Sequence, residues 1–417
     1  MVTRVAPATE VAPFPPKALP KKARLWWVIH QWAGLKLSIF MSFVLLTGTL
    51  AVFSHEMDWL MRPALRVEMS SVSGPVNWPA IARNVAAHAP GASIRSLDAP
   101  LAKAFAATAT IESPDGELRF VYAHPTTGEV QGDGHWVGAA RILRNMHRHL
   151  NMPTWLGVPI VSSLALLLAV SLGTSFVVYK KWWRGFLKPI RLRDARTAWG
   201  DFHRLAGVWS LWFVALMILT GLWYLAESTI ARAPPHPRTE VPALSLSNTD
   251  IAARLGPSLA AARAANPDLD IKRIIFPNGK SGAFQFQGQD EAILVRDRSN
   301  AVWTSAATGE PLLVTAGRDL NIHQRISEMA DPLHFGTFGG YWTKLPWFLF
   351  GALLTALSVS GAALYSLRLF KAERRPSAGR AVAVRAWHGM GHWRWAALAL
   401  VLTGFAMLPT LFGVAGD

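Results

Sequence analysis

The stretch "FHRLAGVWSLWFVALMILTG", Phe202–Gly221, is apolar over the length of a membrane span, yet a histidine and an arginine sit at its mouth. "IHQWAGLKLSIFMSFVLLTG", Ile29–Gly48, repeats the pattern. In both, His is followed by x-x-Ala-Gly and, eighteen residues after the His, by the Gly of Leu-Thr-Gly. A bilayer core of about 30 Å takes roughly 20 helical residues. Five stretches reach that length: Leu35–Phe53, Trp155–Tyr179, Leu205–Ala226, Leu345–Leu367 and Trp393–Leu411. The first is too long for the apolar core of a cleavable signal peptide, and no small-x-small site follows it. The reading is a multispanning helical membrane protein.

Composition agrees. Of 417 residues, 51% are hydrophobic and 19 are tryptophan, a balance ordinary for a membrane protein and unusual for a soluble one. Trp26, Trp27, Trp32, Trp182, Trp183, Trp342, Trp347, Trp393 and Trp395 fall at the expected boundaries, as an interfacial belt requires. The net charge of +16 is unevenly placed. The two large loops, 55–155 and 227–343, hold 20 Lys and Arg against 21 Asp and Glu. The excess lies in the leader and in the short connections "YKKWWRGFLKPIRLRDAR" and "RLFKAERRPSAGRAVAVR". This is the positive-inside distribution and argues against nucleic-acid binding. It places the N-terminus and the short connections in the cytoplasm and the large loops outside.

The expected organisation is a disordered cytoplasmic leader (1–24), a first span (25–55), an outer domain (56–154), a second span (155–184), a basic loop (185–200), a third span (201–227), a second outer domain (228–343), a fourth span (344–368), a second basic loop (369–386) and a fifth span (387–413). The fold class is thus an α-helical membrane protein of about five spans in two tandem repeats, with two small α+β outer domains. Each outer loop carries an Ala-rich helical stretch, "WPAIARNVAAHAP" or "TDIAARLGPSLAAARAANP", then a hairpin around Thr-Gly-Glu, "FVYAHPTTGEVQGDG" (120–134) or "AVWTSAATGEPLLV" (301–314).

Each outer loop also ends on a histidine just before the returning span: His147 in "ILRNMHRHLNMPTWLG" and His334 in "DPLHFGTFGGYWTKLPW". Tandem halves that both start inside are related by an axis along the membrane normal. That axis sets His30 opposite His203 near the inner face and His147 opposite His334 near the outer face. Two imidazole pairs, one per membrane side, are what two bis-histidine b-type haems require. Gly34, Gly48, Gly207, Gly221, Gly336, Gly339 and Gly340 would let a flat macrocycle approach the backbone. The chain has no cysteine, which excludes disulfides, thiolate sites, iron–sulfur clusters and covalent haem, but not haem held by histidine alone.

On "HQWAG…LLTG", "HRLAG…ILTG", the Met-His-Arg-x-Leu before span two, "DPLHFGTFGG" before span four and the two x-Thr-Gly-Glu hairpins, the sequence resembles the PepSY-associated transmembrane helix proteins of bacterial inner membranes, from Arg24 onward. The resemblance implies an inner-membrane protein of iron uptake. Some relatives are haem-containing reductases that carry electrons across the membrane to ferric siderophores in the periplasm. His30, His203, His147 and His334 inherit the haem-ligand and metal role. The implied partners are a ferric siderophore or other ferric chelate, an external electron donor (quinol or a cytoplasmic reductase), and the lipid bilayer. Unlike fused relatives, this chain has no flavin or nicotinamide domain: no G-x-G-x-x-G follows a strand.

Other residues carry further expectations. His149 is a fallback ligand. His388 and His392, spaced i, i+4, would share a helix face and could ligate at the inner pair, bind a quinone headgroup, or simply open a polar helix. Arg204, Arg148 and Arg144 could pair with haem propionates or snorkel to lipid phosphate. Asp331 either orients His334 or caps a turn. His55 reads as a solvated helix end, and His88, His124, His135, His236 and His323 as surface residues. No nucleophilic triad or zinc motif is present in the sequence. Two other functions stay open: an accessory to siderophore, haem or metal transport without stable haem, and a non-catalytic regulator whose outer domains bind a peptidase or receptor.

Overall fold

The computed structural model describes residues 21–244, 246–278, 281–372 and 379–413. The expected leader lies outside these residues up to position 20, and helix begins at Lys21. Helices α1 (Lys21–Leu35) and α2 (Ser38–Ala51) meet at a 60° bend. A short α3 (Ser54–Met61) leads to α4 (Trp78–His88), strands β1 (Ser93–Asp98), β2 (Ala107–Glu112), β3 (Leu118–Ala123) and β4 (Val130–His135), and α5 (Ala139–His149). The chain returns through α6 (Thr154–Ser162) and α7 (Leu164–Val178), which together form one span. The second half runs α8 (Ala195–Trp209), α9 (Leu211–Thr229), α10 (Asn248–Ala265), β5 (Asp270–Ile275), β6 (Ala283–Gln289), β7 (Asn300–Ser305), β8 (Pro311–Thr315), α11 (Ile322–Phe335) and α12 (Tyr341–Ala372). Helices α13 (Gly379–Gly389) and α14 (Trp393–Ala406) follow.

Four helical segments are long and apolar enough to cross a membrane, and the bent α1–α2 pair makes a fifth. The chain is therefore a multi-pass membrane protein. In both halves the helix bearing the first histidine stops five or six residues beyond it, at Leu35 or Trp209, and the following N-cap lies seven residues beyond it. The next helix takes Leu37 or Ser210 as its N-cap residue. In the bundle α1 packs on α7, α2 and α8 on α12, α7 on α9, and α14 on α2.

The strands form one antiparallel sheet in the order β4-β3-β2-β1-β5-β6-β7-β8. The expectation of two separate outer domains is corrected here. Strands β1 and β5 pair antiparallel, with Leu97 opposite Ile274 and Asp98 opposite Arg273. Helices α4 and α10 pack together over one continuous core that contains Ile81, Leu97, Leu255, Ile274 and Phe286. The physical reason is that either strand alone would be an edge with unpaired N–H and C=O groups; pairing removes both edges. Ile274 is fully buried at this joint. Ile274→Ala should cost about 2–5 kcal/mol and speed hydrogen exchange in β1–β4 as well as β5–β8. Faster exchange confined to the second half would mean that the halves unfold separately.

Candidate metal centres between paired histidines

The rings of His147, on α5, and His334, on α11, lie with centres 6.0 Å apart and planes inclined by 34°. His147 Nδ1 is 2.8 Å from the carbonyl of Val44 on α2. A carbonyl only accepts, so Nδ1 carries the proton and Nε2 a lone pair. His334 Nδ1 is 2.8 Å from Thr220 Oγ1. The Thr220 hydroxyl already donates to the carbonyl of Leu216 at 2.9 Å, so it accepts from His334, and the same tautomer results.

At the far end of the bundle, His30 Nδ1 is 3.0 Å from the Ser171 carbonyl and from Thr174 Oγ1, both on α7. His203 Nδ1 is 2.8 Å from Ser360 Oγ on α12, and that hydroxyl donates to Leu357 O at 3.1 Å. His30 and His203 are close enough to interact electrostatically. All four histidines therefore hold Nδ1–H in a hydrogen bond and leave Nε2 as the lone-pair nitrogen. This is the outer-sphere arrangement that fixes a metal-binding imidazole.

Glycine serves this geometry differently from expectation. A Cβ on Gly48 would lie 2.5 Å from His147 Cε1 and 2.7 Å from its Nδ1, so Gly48 makes room for the imidazole itself. Gly221, its counterpart, lets α9 approach Ala165, where a Cβ would lie 2.9 Å away. In the second half the neighbouring Thr220 of Leu-Thr-Gly meets the histidine instead. Gly336 adopts φ +68° at the end of α11, and a Cβ there would strike Trp347.

Buried carboxylates tie the helices of His147 and His334 to the sheet. Asp58 on α3 accepts from the Ala139 and Ala140 amides at 2.8 and 3.0 Å, capping α5. Arg62, beside Asp58, donates to Tyr122 Oη of β3 at 2.6 Å. On the other side Glu328 of α11 takes bonds from Arg296 and Arg298, each at 2.8 Å, and lies 2.9 Å from His236 Nε2. Burial would raise the Glu328 pKa, but the two guanidiniums outweigh burial and hold it at about 2.

Several expected roles change. Asp331 does not orient His334. It accepts from Tyr224 Oη at 2.6 Å and from Arg296 at 2.8 Å, and the Tyr224 ring then meets His334 edge-on at 5.4 Å. Arg204 does not reach toward the histidines; its guanidinium donates to the carbonyls of Gly185 and Lys188 and closes the α7–α8 connection. Arg148 and Arg144 are exposed on α5, the helix of His147. His388 and His392 do not share a helix, because a turn through Gly391 at φ +64° separates α13 from α14. Both are exposed, and His388 Nδ1 lies 3.0 Å from Arg394. The fifth span instead braces the turn after His147: Asn151 donates to Gly404 O at 2.9 Å.

His149 is buried, with no hydrogen-bond partner at Nδ1. His124 is not on the surface; it accepts from the Thr126 and Thr127 amides and shapes the first Thr-Gly-Glu hairpin, as Ser305 does in the second. His236 bonds Glu328, and the His323 and Trp223 rings meet edge-on at 5.4 Å. His55 is exposed, His88 pairs with Asp133, and His135 is exposed on β4.

Among the described residues no group of three or more His, Asp or Glu is arranged to hold a metal ion. Each histidine pair supplies two donors, so a metal there needs a group that brings its own. An imidazole nitrogen binds a first-row ion at about 2 Å, which sets two facing ring centres about 6 Å apart. The His147–His334 spacing fits. The family model described as the PepSY-associated TM region matches residues 27–368. No curated protein matches the sequence.

Proposed function

Since the chain belongs to the PepSY-associated transmembrane family, we propose that it is a di-haem electron-transfer protein of the bacterial inner membrane, reducing ferric siderophores or other ferric chelates in the periplasm during iron uptake. The observation that carries this reading is the outer pair: two imidazoles at 6.0 Å, each with Nδ1–H committed to a hydrogen bond. His147 and His334 would hold the outer haem b, and His30 and His203 the inner one. When bound, haem supplies one-electron chemistry between ferric and ferrous iron.

The residues of the chain bind, orient and insulate. Val44, Thr220, Ser171, Thr174 and Ser360 fix the tautomer and ring angle of the ligands. Reduction of a ferric chelate consumes one electron and weakens oxygen-rich coordination, because those donors favour the harder ferric ion. The electron comes from quinol or a cytoplasmic reductase, since the sheet is wholly antiparallel among the described residues and offers no dinucleotide-binding unit. The matched helix breaks seven residues after His30 and His203, and the two runs of helix plus four strands, support a tandem duplication. The charge asymmetry supports a cytoplasmic N-terminus and a periplasmic sheet.

The purified chain should show a reduced-minus-oxidised spectrum of low-spin, bis-histidine b-type haem, with two haems per chain. No haem after haem-supplemented expression would overturn the reading.

A further inference from the structure

Beyond the inner histidines, on the side away from the sheet, an open cleft of about 310 Å³ is lined by Arg191, Arg196, Thr197, Asp201, Leu364 and Arg368. Three guanidiniums meet one carboxylate there. Asp201 is already neutralised: Arg191 binds both of its oxygens, at 2.8 and 3.1 Å. Arg196 and Arg368 form no ion pair among the described residues, yet stand close enough to repel each other. Like charges are held together in this way where an anion is to be bound.

The cleft also has a defined relation to the histidines. Arg368 acts electrostatically on both His30 and His203. It lies on α12 seven residues beyond Gly361, whose added Cβ would touch His203 Cε1 at 3.5 Å. Seven residues of helix rise about 10 Å. Leu364 lies between them and gives the cleft an apolar wall toward the rings. The Arg368 guanidinium is fixed from behind by the Trp27 ring, 4.7 Å away. An amphiphile with an apolar body between the imidazoles and two carboxylates pointing out of the membrane would match both the shape and the two uncompensated charges.

We propose that Arg196 and Arg368 clamp the two propionates of the haem held by His30 and His203, and so set its orientation and the inner end of the electron path. The clamp rests on the di-haem reading above. It also replaces Arg204, whose donors are spent on backbone carbonyls.

The test is reconstitution of haem-depleted full-length protein in phosphatidylcholine nanodiscs with haem or with haem dimethyl ester, which lacks the carboxylate charges. One of the two sites should prefer free-acid haem by roughly tenfold or more, as expected for charge-assisted hydrogen bonds. In R196A/R368A that preference should vanish and the midpoint potential of the same centre should fall, because a positive charge that favours the ferrous form is gone. The outer centre, unchanged in spectrum and potential, reports that the double variant folds. R196A alone should lose part of the preference. Equal binding of haem and its diester by wild type, or a preference that survives in R196A/R368A, would overturn the clamp and leave the di-haem reading standing. Arginine-dependent binding of phosphatidylglycerol by haem-saturated protein would assign the cleft to a lipid headgroup instead. Failure of wild type to take up any haem would overturn both.

Discussion

On the di-haem proposal, Gly48→Ala should abolish the outer haem while leaving both of its histidines in the chain. The new methyl carbon would lie 2.5 Å from His147 Cε1, 2.7 Å from Nδ1 and 3.1 Å from Nε2. The ring cannot retreat within its present bond, because Nδ1–H is held by Val44 O one turn away on the same helix. Either the imidazole rotates off that bond or α2 and α5 part. Overpacking of this kind costs about 1–3 kcal/mol. The larger loss is functional, since a ring rotated off the Val44 bond no longer holds its Nε2 in its present place beside the His334 ring. Haem should fall from two per chain to one, with the inner centre's spectrum retained. Gly221→Ala is the matched control: its methyl meets Ala165 Cβ at 2.9 Å and no histidine, so it should cost packing but not haem. Two haems with unaltered spectra in Gly48→Ala would show that His147 does not ligate.

Glu328→Ala should destabilise the fold and make that loss depend on pH. The Glu328 side chain is 1% exposed and receives Arg296, Arg298 and His236. Removing it leaves Arg298 without its carboxylate and Arg296 with Asp331 alone. Breaking a fully buried pair costs about 3–5 kcal/mol. Here Arg296 and Arg298 keep 29% and 49% side-chain exposure, so about 2–3 kcal/mol is expected. The pH dependence has a definite sign. The Glu328 carboxyl is held at about 2 in the folded chain against an ordinary 4.5. Its contribution is fully present above pH 4.5 and is lost as pH falls from 4.5 toward 2. Thermal melts of wild type should therefore drop over that window, and those of Glu328→Ala should drop less. Because Arg296 also holds Asp331, and Asp331 holds Tyr224 against His334, the variant should also broaden the outer haem bands.

The spans could be read from the sequence because hydropathy is a local property. Leu345–Leu367 lies inside the observed span Tyr341–Leu369, and Trp155–Tyr179 differs by a residue at each end from Thr154–Val178. The 60° bend between α1 and α2 escaped that reading, since an apolar run carries no mark of direction. The approach of His147 to His334 followed from the repeated spacing, which survives in one dimension. What holds each ring did not. Thr220 and Ser360 are ordinary span residues until a helix distant in sequence brings a histidine to them. Asp331 was misread because it neighbours His334 in the sequence, while Tyr224 and Arg296 are its partners in space. His388 and His392 were misread because i, i+4 spacing means one face only if the helix continues, and Gly391 ends it. The fused sheet was missed because strand alternation shows which face is buried, not which edge is covered.

The antiparallel joint between β1 and β5 also bears on how the chain could be divided. A cut in the connection between α7 and α8 would leave two fragments, each with its own spans, one inner and one outer histidine, and a four-stranded sheet. Each fragment would then expose as a raw edge the strand that now lies at the centre of the sheet. An antiparallel pairing of like strands is the contact a two-fold dimer uses, in which one patch meets its own copy. The first fragment alone therefore has the means to join a second copy of itself along β1 and to set two copies of His147 near each other. Covalent linkage of the halves makes the mixed pairing intramolecular and leaves the two partners free to differ, with Gly48 on one side and Thr220 on the other.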